Sequence, residues 1–388
     1  MTTITADPAL TAQQEAIRES GWGERYRFFQ PHNFMFWVYL WLLILGGTAM
    51  VSQMGGQFGG FRDAIVTGYV AFALFTVPFW LALNYLDRYR AVPGKVRVMA
   101  FLWGGLVGTF TLAQPANAAV LTLYAKLFGQ PWAQDWGAGL TAPFTEEIAK
   151  GAGVLVIIVL APRVVRSAFD GLIIGAFIGL GFQVFEDVTY VVTGAQSAFG
   201  AAQGQAAVHI VFTRVLTGLT SHTLYSALFG MGLVWLIGRP SEPRRIGRGL
   251  LFVLGALLVH GLWDAMGALA GGSSAMSALY FLLIPGLAIV LFVVAVRWSS
   301  ERPRDWMHDL LRPEAERGTI TQDELTALSG NHKQRKAYVK AAKGHKSHVH
   351  ARHVLAAATD LARQLARDGG HDTPDVVFAR AEVTRVRG

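Results

Sequence analysis

Glu146 and Glu147 stand side by side in the stretch Phe144-Thr-Glu-Glu-Ile-Ala-Lys150, inside an apolar run from about Gly137 to Leu160. Carboxylates at membrane depth are costly even on lenient insertion scales, so a chain that keeps two of them has a use for them. Helical spacing sets Lys150 one turn from both, at i+4 from Glu146 and i+3 from Glu147. One carboxylate can be held by the ammonium while the other faces a bundle interior.

Other apolar stretches carry the rest of the chemistry: Glu186 and Asp187, His222, and the pair His260 and Asp264, which share a helix face at i, i+4. A lone buried histidine usually has a packing role. Their common depth says more. With about 1.5 Å of rise per residue, Glu146 and Glu147 fall roughly 12–14 Å from the outer end of their span. Glu186, His222 and His260 fall about 10–15 Å from the outer ends of theirs. Carboxylates and neutral imidazoles in one layer can ligate a divalent metal such as zinc, with Glu186, His222 and His260 as candidate ligands, while a spare carboxylate takes a proton from water. Without a metal, a carboxylate can activate water while a histidine stabilises an oxyanion. Both schemes hydrolyse an amide. The same residues also suit a proton- or cation-coupled transporter, or an idle receptor or scaffold, and composition does not choose among these.

The elements that must position these groups are membrane helices. Of the 388 residues 52% are hydrophobic and 15% charged, which predicts an all-α, polytopic membrane bundle. Eight apolar spans lie near 34–53, 64–86, 97–113, 138–160, 168–193, 212–237, 249–270 and 275–297. Basic residues crowd alternate loops: Arg88, Arg90, Lys95 and Arg97, then Arg163 and Arg166, then Arg239, Arg244, Arg245 and Arg248. The positive-inside rule then sets both termini in the cytoplasm of a multi-pass cell-membrane protein. Three regions follow: a cytoplasmic segment 1–33, a transmembrane region 34–297 and a basic cytoplasmic tail 298–388. No cleaved signal peptide is expected. With no cysteine, disulfides and thiol chemistry are excluded.

Two stretches are irregular. Gln114-Pro-Ala-Asn117, with the run to Phe128, reads as a re-entrant or interfacial helix, and 205–213 as interfacial. No internal repeat is evident, which counts against an inverted-repeat transporter. In the tail, Thr321-Gln-Asp-Glu324 is a capping box, 334–367 reads as helical, and the last twenty residues as loose. His345, His348, His350 and His353 read as part of a solvated basic helix rather than a metal site. The basic excess fits a surface near anionic lipid; no nucleic-acid motif accompanies it, so no nucleic-acid partner is expected.

Glu146-Glu147-x-x-Lys150, the Gly-Phe-x-x-x-Glu186 segment, Ser221-His222 leading into Ala227-Leu-Phe-Gly230, and His260-x-x-x-Asp264 together resemble the PrsW family of intramembrane proteases. That family lies within the group holding CAAX prenyl endopeptidases and bacteriocin-processing proteins. The resemblance covers roughly residues 138–270. It implies a membrane-embedded endopeptidase acting on a single-span membrane protein, such as an anti-sigma factor, on its extracytoplasmic side. It implies Glu146 and Glu147 as the essential acidic pair, Glu186, His222 and His260 as the further motif residues, and no settled metal dependence. Within the pair, Glu146 is favoured as the base and Glu147 as the partner of Lys150. The family pattern tends toward Asn where this chain has Asp264. Arg214 is a further candidate, for holding a substrate carbonyl.

Overall fold

The computed structural model describes residues 8–89 and 92–388; Arg90, one of the loop arginines, lies outside them. The described residues are helical, with no strand beyond an isolated bridge between Arg239 and Glu242. They form two compact units. The larger comprises Arg27–Gly238 and Pro243–Arg297; the smaller comprises Met1–Tyr26, Arg239–Glu242 and Trp298–Gly388. The first helix, α1 (Pro8–Ser20), belongs to the smaller unit.

In the larger unit, α2 (Phe34–Leu86) starts at Asn33, whose side chain accepts the Met35 N–H. Its 53 residues take in the first two expected spans, and the expected loop at 54–63 is helical except for Phe61 (φ −130°, ψ 31°). The third span begins as α3 (Gly94–Leu102), widens into a π-helix over Trp103–Ala113 and runs on as α4 (Gln114–Phe128). Gln114–Asn117, read as irregular from the sequence, is helical: the Gln114 N–H bonds back to Thr109 O and α4 runs on to Phe128.

Next come α5 (Gln130–Leu160) and α6 (Ala168–Ser197), the latter opened by a Ser167/Asp170 capping box. The expected span 212–237 is corrected. It splits into α7 (Gln203–Thr217), a 3₁₀ turn Gly218–Thr220 and α8 (His222–Ile237), because Ser221 leaves helical geometry (φ −106°, ψ −135°). After α9 (Ile246–Asp264) and the short α10 (Met266–Ala270), α11 (Ser274–Ser299) ends the apolar region.

Five helices among the described residues are long and apolar enough to cross a membrane: α2, the continuous Gly94–Phe128, α6, α9 and Ser274–Glu316. The other expected spans have physical reasons to fall outside that set. The apolar stretch of α5 is interrupted by Glu146, Glu147 and Lys150, and the broken sixth span leaves α8 with 16 residues.

Close packing fixes the neighbours of α6. A Cβ on Gly175 would lie 2.1 Å from Ser226 O, and one on Gly179 would lie 2.2 Å from His222 O, so only glycine lets α8 approach so near. On the other side the Trp103 indole donates to Ala149 O at 3.0 Å, locking the π-helix to α5.

The smaller unit adds α12 (Glu301–Glu316), α13 (Gln322–Ser329), α14 (His332–Ala341), α15 (His345–Arg367) and α16 (Pro374–Arg387). The Thr321/Glu324 capping box opens α13. The helix read over 334–367 is interrupted at Gly344, whose φ of +94° favours glycine. The last twenty residues are not loose: α16 is capped by Thr373 and buries Val376, Ala379 and Val383. Buried Leu310, Leu355, Leu361 and Leu365 form part of the core. The fully buried Glu314 is paired with Arg380 at 2.7 Å and Arg317 at 3.0 Å. Helix α1 closes the unit, with Gln13 Nε2 donating to Leu310 O (2.8 Å) and Trp306 Nε1 donating to Glu19 Oε2 (3.1 Å).

Candidate active site

Helix α5 delivers its two carboxylates to different surroundings. Glu147 is fully buried, and both its oxygens are engaged. Lys150 Nζ lies 2.6 Å from Oε1, His260 Nδ1 lies 3.1 Å from the same atom, and Ser226 Oγ donates to Oε2 at 3.1 Å. Glu146 Oε1 accepts from Asn117 Nδ2 at 3.1 Å, while its Oε2 is buried without a hydrogen bond. Around that oxygen stand Lys150 Nζ at 3.5 Å, His222 Nδ1 at 3.6 Å and His260 Nε2 at 3.7 Å.

Each histidine is anchored from behind. His222, the first residue of α8, places Nε2 2.9 Å from Glu186 Oε2; His260 places Nδ1 against Glu147. A carboxylate accepting one ring N–H leaves the other nitrogen as a lone-pair donor, which here is the nitrogen facing Glu146. Tyr225 stacks on His260 with ring centroids 5.0 Å apart and planes 26° apart. Asp264, at the end of α9, brings Oδ2 to 3.4 Å from His260 Nε2.

Arg214 does not share a helix with His222; it reaches the site from α7. Its Nη2 is 3.0 Å from Glu186 Oε2, its Nε bonds Asp187 Oδ1, and its guanidinium lies over the Tyr190 ring. A fork of this kind holds two carboxylates at once. Lys150, besides its ion pairs, sits 3.1 Å from His222 Nδ1 and 4.2 Å from the centroid of the Phe182 ring.

These groups surround a cavity of about 300 Å³ whose lining includes Glu146, Glu186, His222, His260, Asp264 and Arg214, and also Asn117 and Tyr190. Glu147 and Lys150 are not in its wall. All nine residues singled out in the sequence, Asp187 included, therefore come together, in the wall or directly behind it. Asn117, Thr145, Ser226 and Tyr225 were missed. Ser226 stands at i+4 from His222 on the same face. Asn117 lay in the stretch read as irregular, and its Oδ1 accepts from Thr145 Oγ1.

The donor set fits a metal. Among the described residues Glu146, His222 and His260 offer one atom each, all within 4.8 Å of one another. Two backed imidazoles and one carboxylate are a familiar ligand set for zinc. The orphaned Glu146 Oε2 is the mark of a missing partner. Five carboxylates (Glu146, Glu147, Glu186, Asp187, Asp264) face two side-chain cations (Lys150, Arg214), so a further positive charge is welcome. Glu186, a candidate ligand in the sequence reading, has Oε2 2.9 Å from His222 Nε2, and it is Glu146 that stands with the two histidines in the cluster.

Comparison with curated proteins and with solved structures finds no match. A family model, described as PrsW family intramembrane metalloprotease, matches residues 92–298. That span is more than half of the chain and contains every residue of the site just described, so the protein belongs to the PrsW family of intramembrane metalloproteases.

Proposed function

We propose that the protein is an endopeptidase that cuts a single-span membrane protein within the outer half of the bilayer, with Glu146, His222 and His260 at the reacting centre. The observation that carries this reading is the convergence of two carboxylate-backed imidazoles on the one unbonded oxygen of Glu146.

Glu146, His222 and His260 would hold a divalent ion, which when bound would supply Lewis acidity toward a carbonyl or a water. The chain's own groups do the rest. Where no ion is bound, Glu146 Oε2 is instead the atom at which the proton of the attacking water is held, since Glu147 has both oxygens engaged and does not reach the cavity. Glu147 and Glu186 keep the two imidazoles oriented. Lys150 offsets the charge of Glu147, and Arg214 that of Glu186 and Asp187. Asn117 turns Glu146 toward the histidines.

In this reading eight segments cross the membrane, with α2 crossing twice about Phe61. The smaller unit supports an even number: α1 packs on α12, and Ser241 Oγ, in the loop after α8, donates to Glu19 O at 2.7 Å. Groups in direct contact lie on one side of a bilayer, and the arginines flanking that loop make it the cytoplasmic side. His260, 14 residues from the start of α9, then lies about 21 Å from that end, in the outer half. An anti-sigma factor is the substrate type the family resemblance implies.

The test compares membrane proteomes of cells carrying the intact protein or the Glu146→Gln/Glu147→Gln variant. New N-termini beside single spans, on the extracytoplasmic side, are expected with the intact protein alone. Identical proteomes with the variant stably inserted would overturn the proposal.

A further inference from the structure

Between Glu324 and Asp360 the chain has no acidic residue, but it has seven Lys and Arg and five His. The structure places this stretch in α14 and the first half of α15, and leaves Lys333, Lys336, Lys340, Lys343, Lys346 and Arg352 exposed. Helix α14 buries none of its residues, and only half-buried positions such as Tyr338 and Val339 touch the rest of the unit. Lys333, Lys336 and Lys340 fall at i, i+3 and i+7, so like charges stack along one stripe. Such pairs destabilise an isolated helix. An opposite charge outside such a helix would relieve that repulsion.

We infer that α14 and the start of α15 form a docking surface for the anionic phospholipid headgroups of the membrane that the chain itself crosses. Connectivity favours lipid over other polyanions. Apolar helix α11 ends at Ser299, and α14 begins at His332, so a bilayer surface is within reach of the lysines at high local concentration. Lys and Arg near an anionic leaflet each add to such attraction, and it falls off within a Debye length. The inference is independent of the catalytic reading and needs only that the chain is anchored in a membrane.

The full-length protein has no cysteine, so an Ala341→Cys variant takes a single polarity-sensitive dye beside the stripe. The labelled protein is placed in nanodiscs of phosphatidylcholine, with and without phosphatidylglycerol. Expected with phosphatidylglycerol are a blue-shifted emission and roughly tenfold slower tryptic cleavage of 333–352. Both effects should vanish in about 0.5 M salt and in a Lys333→Gln/Lys336→Gln/Lys340→Gln/Lys346→Gln variant. Equal emission and cleavage in the two lipids would overturn the inference without reference to any variant. So would an emission shift produced by added RNA and not by phosphatidylglycerol, which would assign the surface to nucleic acid.

Discussion

Asn117 Nδ2 donates to Glu146 Oε1 across 3.1 Å, and this bond determines which oxygen of Glu146 faces the histidines. Asn117→Ala frees the carboxylate to turn. Cleavage and zinc affinity should each fall about 10–100-fold, as for other residues that orient a ligand. Asn117→Asp should lose more, because it sets a second carboxylate against the first. Unchanged zinc titration and kcat/KM in both variants would show that Glu146 is held by other means.

The two adjacent glutamates should separate in stability as well as in activity. Glu147→Gln takes the 2.6 Å partner from buried Lys150 and leaves it Glu146 at 3.5 Å, so the cost is at most about 3–5 kcal/mol. Glu146→Gln removes a carboxylate whose Oε2 has no hydrogen bond, so its unfolding temperature should match or exceed that of the parent. Both variants should be inactive. Thermal unfolding in detergent checks the contrast, and equal destabilisation of both would refute it.

Gly179→Ala should act on His222 without touching the cavity. The added Cβ meets the His222 carbonyl oxygen at 2.2 Å, which pushes the start of α8 away from α6 and the ring away from Glu186. Overpacking of this kind costs about 1–3 kcal/mol. Here cleavage should drop further than stability alone explains. A folded variant with parental kcat would argue that α8 shifts as a rigid body without consequence.

Arg214→Lys keeps the charge but not the fork that joins Glu186 to Asp187. Cleavage should fall by about 10–100-fold, mainly in kcat, because Glu186 no longer holds His222 in place. A loss confined to KM would instead assign Arg214 to substrate binding.

In the smaller unit, Arg380→Ala takes the main partner from buried Glu314 and leaves only Arg317, for an expected loss of about 2–3 kcal/mol. Asp372 adds an acid dependence. The Arg380 hydrogen bond draws its carboxyl below the usual range, so its contribution is present at neutral pH and is lost as acid protonates it. Limited proteolysis of α16 against pH, in parent and Arg380→Ala, should show acid sensitivity in the parent alone.

Much of the site was legible because helical spacing is itself geometry: Glu146, Glu147 and Lys150, or His260 and Asp264, share a face wherever the helix goes. Hydropathy also located the apolar segments. It could not register Ser221, whose backbone leaves the helix without any change in apolar character, and so His222 was expected deep within a span rather than at a helix start. Asn117 escaped for a related reason. The π-helix over Trp103–Ala113 has a different period from an α-helix, so the face on which Asn117 emerges cannot be counted from the residues before it. In the tail, the period of Val354, Leu355, Leu361 and Leu365 was readable. The packing of α16 was not, because the exposed Val377 and Phe378 stand beside the buried Val376, Ala379 and Val383 and blur the apolar stripe.

The bond from Gln13 to Leu310 spans 297 positions of chain. During synthesis α1 emerges first, yet the surface that covers its buried face, on α12, is made only after every apolar helix has left the ribosome. The smaller unit therefore closes only after the whole stretch between α1 and α12 has been made. A chain cut short before α12 leaves Ala9, Gln13 and Ala16 without that cover. The face of α1 thus waits for its cover through the synthesis of every helix of the larger unit.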